Sequence, residues 1–128
     1  MIKIFEKEDL HQWGDRWNAV DSNNVFVGFD YHQSCCENFG TFISETEDVT
    51  TCEQLETTEV DLTDFVFDTD YHKTIDTGNS FVNAYALFRL VNSSGNELFL
   101  VLYNHHNGFY SHGFSMLKDS VVIVQDSI

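Results

Sequence analysis

Apolar and polar positions alternate along most of the chain, and this pattern predicts a protein built mainly of β-strands. Turn-forming residues separate the apolar runs. Asn-Ser-Ser-Gly-Asn at positions 92–96 predicts a hairpin connection between two of them. The predicted strands are Met1–Phe5, Val25–Tyr31, Cys36–Ser44, Phe81–Val91, Glu97–Asn104, Phe109–Met116 and Val121–Val124.

One stretch near the beginning of the chain has the spacing of a helix instead. Leu10, Trp13, Trp17 and Val20 recur at intervals of three and four, after an opening turn that is rich in acidic residues. Asp-Ser-Asn-Asn at positions 21–24 would end this amphipathic helix. The sequence therefore predicts a single α+β domain over residues 1–128, with the N-terminal helix packed on a mostly antiparallel sheet.

Between residues 45 and 76 the alternation weakens and acidic residues accumulate. This stretch holds 11 of the 21 Asp and Glu residues of the chain and one basic residue, Lys73. Its centre is apolar, so we expect a long acidic connection that contains one short ordered piece.

Charge narrows the classes of function. Six Lys and Arg residues against 21 Asp and Glu give a net charge of −15, which argues against direct binding to nucleic acid or to an anionic membrane. The same charge favours binding to a basic protein. It is equally compatible with a well-solvated surface or with a salt-adapted host.

Apolar runs are too short to predict a membrane segment. The longest, Leu98–Tyr103, falls far short of the roughly 20 residues that span a bilayer, and the first ten residues lack a leader pattern. The three cysteines include the adjacent pair Cys35 and Cys36, an arrangement unsuited to a disulfide framework. We therefore expect a cytoplasmic protein.

A histidine-rich stretch, Asn-His-His-Asn-Gly-Phe-Tyr-Ser-His-Gly-Phe at positions 104–114, raises the question of a ligand site. With Asn107-Gly108 as a two-residue hairpin turn, alternation would place His105, Tyr110 and His112 on one face. Two imidazoles there could share zinc if another ligand came from the Cys-Cys-Glu strand. This alternative site would comprise Cys35, Cys36, Glu37, His105, Tyr110 and His112.

The spacing around these residues does not match a known zinc motif, since the chain has no Cys-x-x-Cys pair and no His-Glu-x-x-His. The plain interpretation is an exposed, amphipathic hairpin end that forms a contact surface and permits a homodimer. Catalysis by Cys35 or Cys36 is disfavoured because Glu37 and the overall acidity would raise a thiol pKa. We expect a protein that is not an enzyme and that has no required cofactor.

Two short elements resemble a family of small bacterial and phage proteins that share a domain of unknown function. They are Cys35-Cys36-Glu37 and Asn107-Gly108-Phe109-Tyr110-Ser111, in the same order as in that family and with similar separation. Phe109 stands where the family has tyrosine. The resemblance covers about residues 25–116 and implies a phage or mobile-element origin, with the host cytoplasm as its location, but no activity.

The sequence thus predicts a non-enzymatic acidic binding protein. It would inhibit a host protein, either a defence component or a nucleic-acid-binding protein, by occupying its basic surface. Carboxylates spaced along an ordered segment can imitate phosphates electrostatically. The residues predicted to bind the partner are Glu56, Glu59, Asp61, Asp64, Asp68 and Asp70.

Overall fold

The computed structural model describes residues 2–8, 15–31, 38–49, 53–76, 82–106 and 111–128. Every regular element in these ranges is a β-strand. In chain order, β1 to β9 are Lys3–Glu8, Asp15–Val20, Val25–Asp30, Asn38–Ser44, Val66–Asp76, Val82–Val91, Glu97–His106, Gly113–Lys118 and Val121–Ser127.

The strands form two antiparallel sheets. The first sheet has the order β1-β2-β3-β8-β9, and the second has the order β4-β7-β6-β5. The two ends of the chain therefore build the first sheet, and the middle of the chain builds the second. Each strand pairs antiparallel with its neighbours, which suits the alternation seen in the sequence.

The predicted α+β class is wrong for the described residues, because the N-terminal helix is absent from them. Part of the predicted helix is β2, which pairs with β1 and with β3. Trp17 and Ala19 of β2 are both buried in the core, so the sequence here also has the two-residue period of a strand. Leu10 and Trp13 lie outside the described residues.

The main core lies between the two sheets. The inward side chains of β3 and β8 meet those of β6 and β7, as in other face-to-face sheet packings. Phe29, Phe88, Leu102 and Met116 are completely or almost completely buried. Burial of each such side chain contributes about 1.5–3 kcal/mol to the stability of the fold, so this layer holds the two sheets together.

A buried carboxylate links the two sheets at one end. Asp21 follows β2 and is 7% exposed. Its Oδ1 accepts hydrogen bonds from the amides of Asn23 and Val25, both at 2.9 Å. Its Oδ2 accepts one from the amide of Phe67 in β5, at 2.8 Å. Asp21 thus shapes the turn from β2 to β3 and fixes the start of β5 against it.

The predicted acidic connection contains the strand β5. An irregularity between Phe67 and His72 interrupts the pairing of β5 with β6. Before β5, Leu55 forms an isolated antiparallel bridge with Ile43 of β4.

The part of the chain that the structure describes has no helix long and apolar enough to cross a membrane.

Candidate functional site

We call residues 45–49 and 53–70 the acidic segment. It contains all six carboxylates that the sequence predicts to bind a partner. Five of them are exposed, and the sixth, Asp68, is half-buried. The exposed five are Glu56, Glu59, Asp61, Asp64 and Asp70. The structure therefore presents most of the predicted set to solvent.

Apolar side chains anchor this segment to the sandwich. Leu62 and Phe65 are buried in the core between the sheets, and Leu55 packs against that core. Val49 is buried on the other face of the second sheet, in a cluster with Leu87. The exposed carboxylates thus lie on a segment whose apolar residues hold it in place.

Short-range hydrogen bonds also shape the segment. The Asp61 carboxylate accepts hydrogen bonds from both the hydroxyl and the amide of Thr63, and these lower the pKa of Asp61. Glu59 accepts a hydrogen bond from the amide of Glu56 at 3.2 Å. Asp61 therefore remains ionised at neutral pH and fixes the local turn while it stays exposed.

Asp68 has a different role, because it is paired inside the molecule. Arg89 of β6 donates two hydrogen bonds to Asp68 Oδ2, from Nε at 3.0 Å and from Nη2 at 2.7 Å. The guanidinium carbon lies 4.8 Å from the centre of the Tyr71 ring, within cation–π range. Glu97 lies 3.7 Å from the same guanidinium. Asp68 therefore belongs to the scaffold.

This pairing determines the protonation of Asp68. The hydrogen bonds from Arg89, and then the one from the Asp70 amide, hold the pKa of Asp68 below its ordinary value. The same contact with Asp68 raises the pKa of Arg89. The pair is thus fully charged at neutral pH.

The predicted hairpin between His105 and His112 is wrong, because β7 and β8 belong to different sheets. In place of β8, β7 pairs with β4 on one side and β6 on the other, so neither of its edges is available. A two-residue turn at Asn107-Gly108 would have paired Tyr103 with His112. In the structure, Tyr103 is opposite Gly40 on one side and Tyr85 on the other. The Asn107-Gly108 turn itself lies outside the described residues.

His105 lies on the face of the second sheet that points away from the main core. Its Nε2 is 3.3 Å from the Tyr85 hydroxyl, and its ring centre is 5.0 Å from that of Tyr103. Burial lowers the pKa of His105. The imidazole is therefore neutral at physiological pH and packs among aromatic rings.

His112 lies on the opposite side of that sheet, in the layer between the sheets. It is 1% exposed, and its ring centre is 4.2 Å from that of Phe39. Nδ1 donates to the carbonyl of Asp30 at 2.6 Å, and the backbone of His112 forms two hydrogen bonds with Ile128. His112 is a structural core residue, and it does not share a face with His105.

The other residues of the predicted ligand site are Cys35, Cys36, Glu37 and Tyr110, which lie outside the described residues. Among the residues that are described, no three His, Cys, Asp or Glu side chains gather as metal ligands would. Because His105 and His112 lie on opposite sides of the second sheet, they do not form the pair of imidazoles that was predicted to share zinc. A ligand site that involves the other four residues stays a prediction.

Two features escaped the sequence analysis. Arg89 was not singled out, although it is the basic residue that engages Asp68. The exposed position of β9 was also missed, where Val121 and Val122 are 67% and 52% exposed. An arginine within an otherwise apolar strand was a possible signal for the first. For the second, the run Val-Val-Ile-Val predicted a strand, and its pattern does not distinguish an exposed strand from a buried one.

Fold and surface together define the class of this protein as an antiparallel β-sandwich with an anchored acidic segment on its surface. No family model matches the chain, and neither the comparison with curated proteins nor that with solved structures finds a match.

Proposed function

We propose that this protein is a non-enzymatic binding protein that acts in the cytoplasm and holds a basic surface of a partner protein through its acidic segment. The observation that supports this proposal is the anchored display of exposed carboxylates on residues 45–49 and 53–70. Because apolar residues already order the segment, binding does not have to order a flexible chain, and this ordering cost is avoided.

The electrostatics favour such a partner. The chain carries a charge of −15, and the sequence from residue 45 to residue 76 has one basic residue, Lys73. A positively charged partner would therefore be attracted over about one Debye length, near 8 Å at physiological salt. If that basic surface normally holds nucleic acid, occupation by the acidic segment makes this protein an inhibitor.

A comparison of two triple variants tests the proposal. In the first, Glu56→Gln, Asp64→Asn and Asp70→Asn remove exposed carboxylates that make no side-chain hydrogen bond with another described residue. In the second, Glu97→Gln, Asp119→Asn and Asp126→Asn remove the same number of charges outside the segment. Net charge then changes equally in both.

The measurement is an affinity purification from a bacterial lysate at low salt, followed by titration of the retained basic protein against each variant. We expect the segment variant to bind at least about tenfold more weakly and the control variant to lose about twofold or less. Equal losses would mean that overall charge acts without a defined surface. Retention of no basic partner by the parent protein would contradict the proposal.

A further inference from the structure

The strand β9 lies at an edge of the first sheet, and its first residues are apolar and exposed. Val121, Val122 and Ile123 are 67%, 52% and 37% exposed. β9 pairs with β8 on one side, and no described strand pairs with it on the other. The unpaired side presents backbone donors and acceptors that can extend a sheet.

The other three sheet edges are covered or charged, whereas residues 121–123 of β9 are uncharged and exposed. Leu55 covers part of β4 by exchanging two hydrogen bonds with Ile43, at 2.8 and 3.0 Å. β5 carries several charged residues and an interrupted register, and β1 has four charged residues in its sequence. In β9, residues 121–125 carry no charge. Charge and cover are common protections of sheet edges, and their absence at residues 121–123 suggests a use for this edge.

An apolar row leads across the sheet to this edge. Val20 is opposite Phe26, Phe26 is opposite Leu117, and Leu117 is opposite Val122. Their neighbours in sequence, such as Met116, face the core, so the row lies on the outer face of the sheet. Val20, Phe26 and Leu117 are half-buried, and Val122 at the edge is the most exposed of the four.

We infer that two copies of this chain associate through β9, in an antiparallel pair about a two-fold axis beside Val122. Identical strands paired in this way satisfy each other's backbone groups and join the two apolar rows into one. Val121 would be opposite Ile123 of the copy. Because each chain has a single β9 edge, the assembly ends at two copies.

Charge supports a second copy at this place on the surface and opposes it elsewhere. Two chains of charge −15 repel each other, so they can approach closely only where carboxylates are absent. Residues 121–125 meet this condition. With the axis beside Val122, residues 121–123 of one copy would be opposite residues 123–121 of the other, and none of these residues carries a charge. A bulge at Ile123, seen in the register of β8 with β9, restricts the pairing to the first half of the strand.

Sedimentation equilibrium of the full chain at several concentrations tests the inference directly. We expect a monomer–dimer equilibrium that shifts toward dimer as salt is raised, because salt screens the repulsion between the copies. A monomer at every concentration and salt would overturn the inference. Growth beyond two copies would also overturn it, since a two-fold pair closes the assembly.

Three variants then locate the contact. Val122→Lys places like charges near the axis and should raise the dissociation constant at least about tenfold. Thr74→Lys makes the same change in charge on exposed β5 and should leave the dimer intact. Persistence of the dimer in Val122→Lys, or its loss in Thr74→Lys, would contradict the assignment to β9.

A mixture gives the sharpest result. Val122→Glu alone should also be monomeric, whereas an equimolar mixture with Val122→Lys should dimerise, because opposite charges then meet across the axis. Folded variants that remain monomeric when mixed would overturn the inference. Circular dichroism confirms folding, and the pair Val121→Glu and Val121→Lys replaces the Val122 pair if either of its members does not fold, since Val121 is more exposed.

Discussion

The acidic segment and β9 are both exposed, yet they differ in almost every other respect. The segment displays charged side chains on irregular backbone and on the start of β5, and apolar residues anchor it. β9 displays apolar side chains on an edge strand that pairs with β8 and with no other described strand. If both proposals hold, the same net charge attracts a basic partner to the first surface and opposes association through the second. The binding preference of each surface would therefore depend on its own side chains, whose effect can add to that of the net charge or oppose it.

Asp21 allows the strongest test of whether carboxylates in this chain are structural or available for binding. Asp21→Ala leaves three backbone amides without their acceptor. We expect a loss of about 3 kcal/mol in the free energy of unfolding, measured by urea denaturation. The triple variant Glu56→Gln, Asp64→Asn, Asp70→Asn is the contrast. A similar loss in that variant would show that the segment is structural and end the comparison.

Salt should have opposite effects on binding through the two surfaces. Between low and high ionic strength we expect affinity for the basic partner to fall by about tenfold or more, because screening removes the attraction. Over the same range self-association should strengthen. Calorimetric titration and sedimentation under matched conditions provide the two measurements. Two responses of the same sign would contradict the assignment of different driving forces to the two surfaces.

Asp68 sharpens the boundary of the binding surface. Asp68→Asn should destabilise the fold by about 1 kcal/mol, since it weakens the partly buried pair with Arg89. It should change partner affinity less than Asp70→Asn does, although both variants lose one charge. Thermal denaturation and titration of the two single variants check this expectation. If Asp68→Asn weakens partner affinity more than Asp70→Asn does and leaves stability unchanged, Asp68 belongs to the binding surface.

The pH dependence of the same pair has a definite sign. The pKa of Asp68 is lowered in the folded protein, so its contribution to stability is present above the pKa of the unfolded carboxyl, near 4. That contribution is lost as pH falls through the lowered folded value. The stability difference between the parent and Asp68→Asn should therefore be constant near neutrality and decrease below about pH 4. Urea denaturation at several pH values measures it.

The smallest expected effect concerns stability in the acidic segment itself. The triple variant Glu56→Gln, Asp64→Asn, Asp70→Asn should change the free energy of unfolding by no more than about 0.5 kcal/mol, because these side chains are exposed. Thermal unfolding at neutral pH is sufficient to measure it. A small gain would be consistent with relief of repulsion among carboxylates.

Local pattern was enough to predict most strands, because alternation depends only on nearby residues. β3, β6 and β7 begin and end within two residues of their predicted bounds. The helix prediction failed at Trp17, whose spacing to Val20 fits a helix although its neighbour Ala19 also faces the core. Pairing with β3 decided between these two patterns, and such pairing is not visible in a local window.

The candidate sites show the same limit. Exposure of Glu56, Asp64 and Asp70 could be predicted, because isolated carboxylates are costly to bury. The pairing of Asp68 with Arg89 depends on the register of β5 with β6. The separation of His105 from His112 depends on which sheet receives each strand. Asn-Gly favours a tight turn, but β7 already has a partner on each side.

The division of the chain between the sheets has a consequence for its synthesis on the ribosome. β3 pairs with β8, which is translated only after every strand of the second sheet. While the nascent chain emerges, the edge of β3 and apolar side chains such as Phe29 await their cover. We therefore expect the unfinished first sheet to require protection from aggregation by chaperones. Synthesis of β8 and β9 would end this requirement, because these strands complete the first sheet.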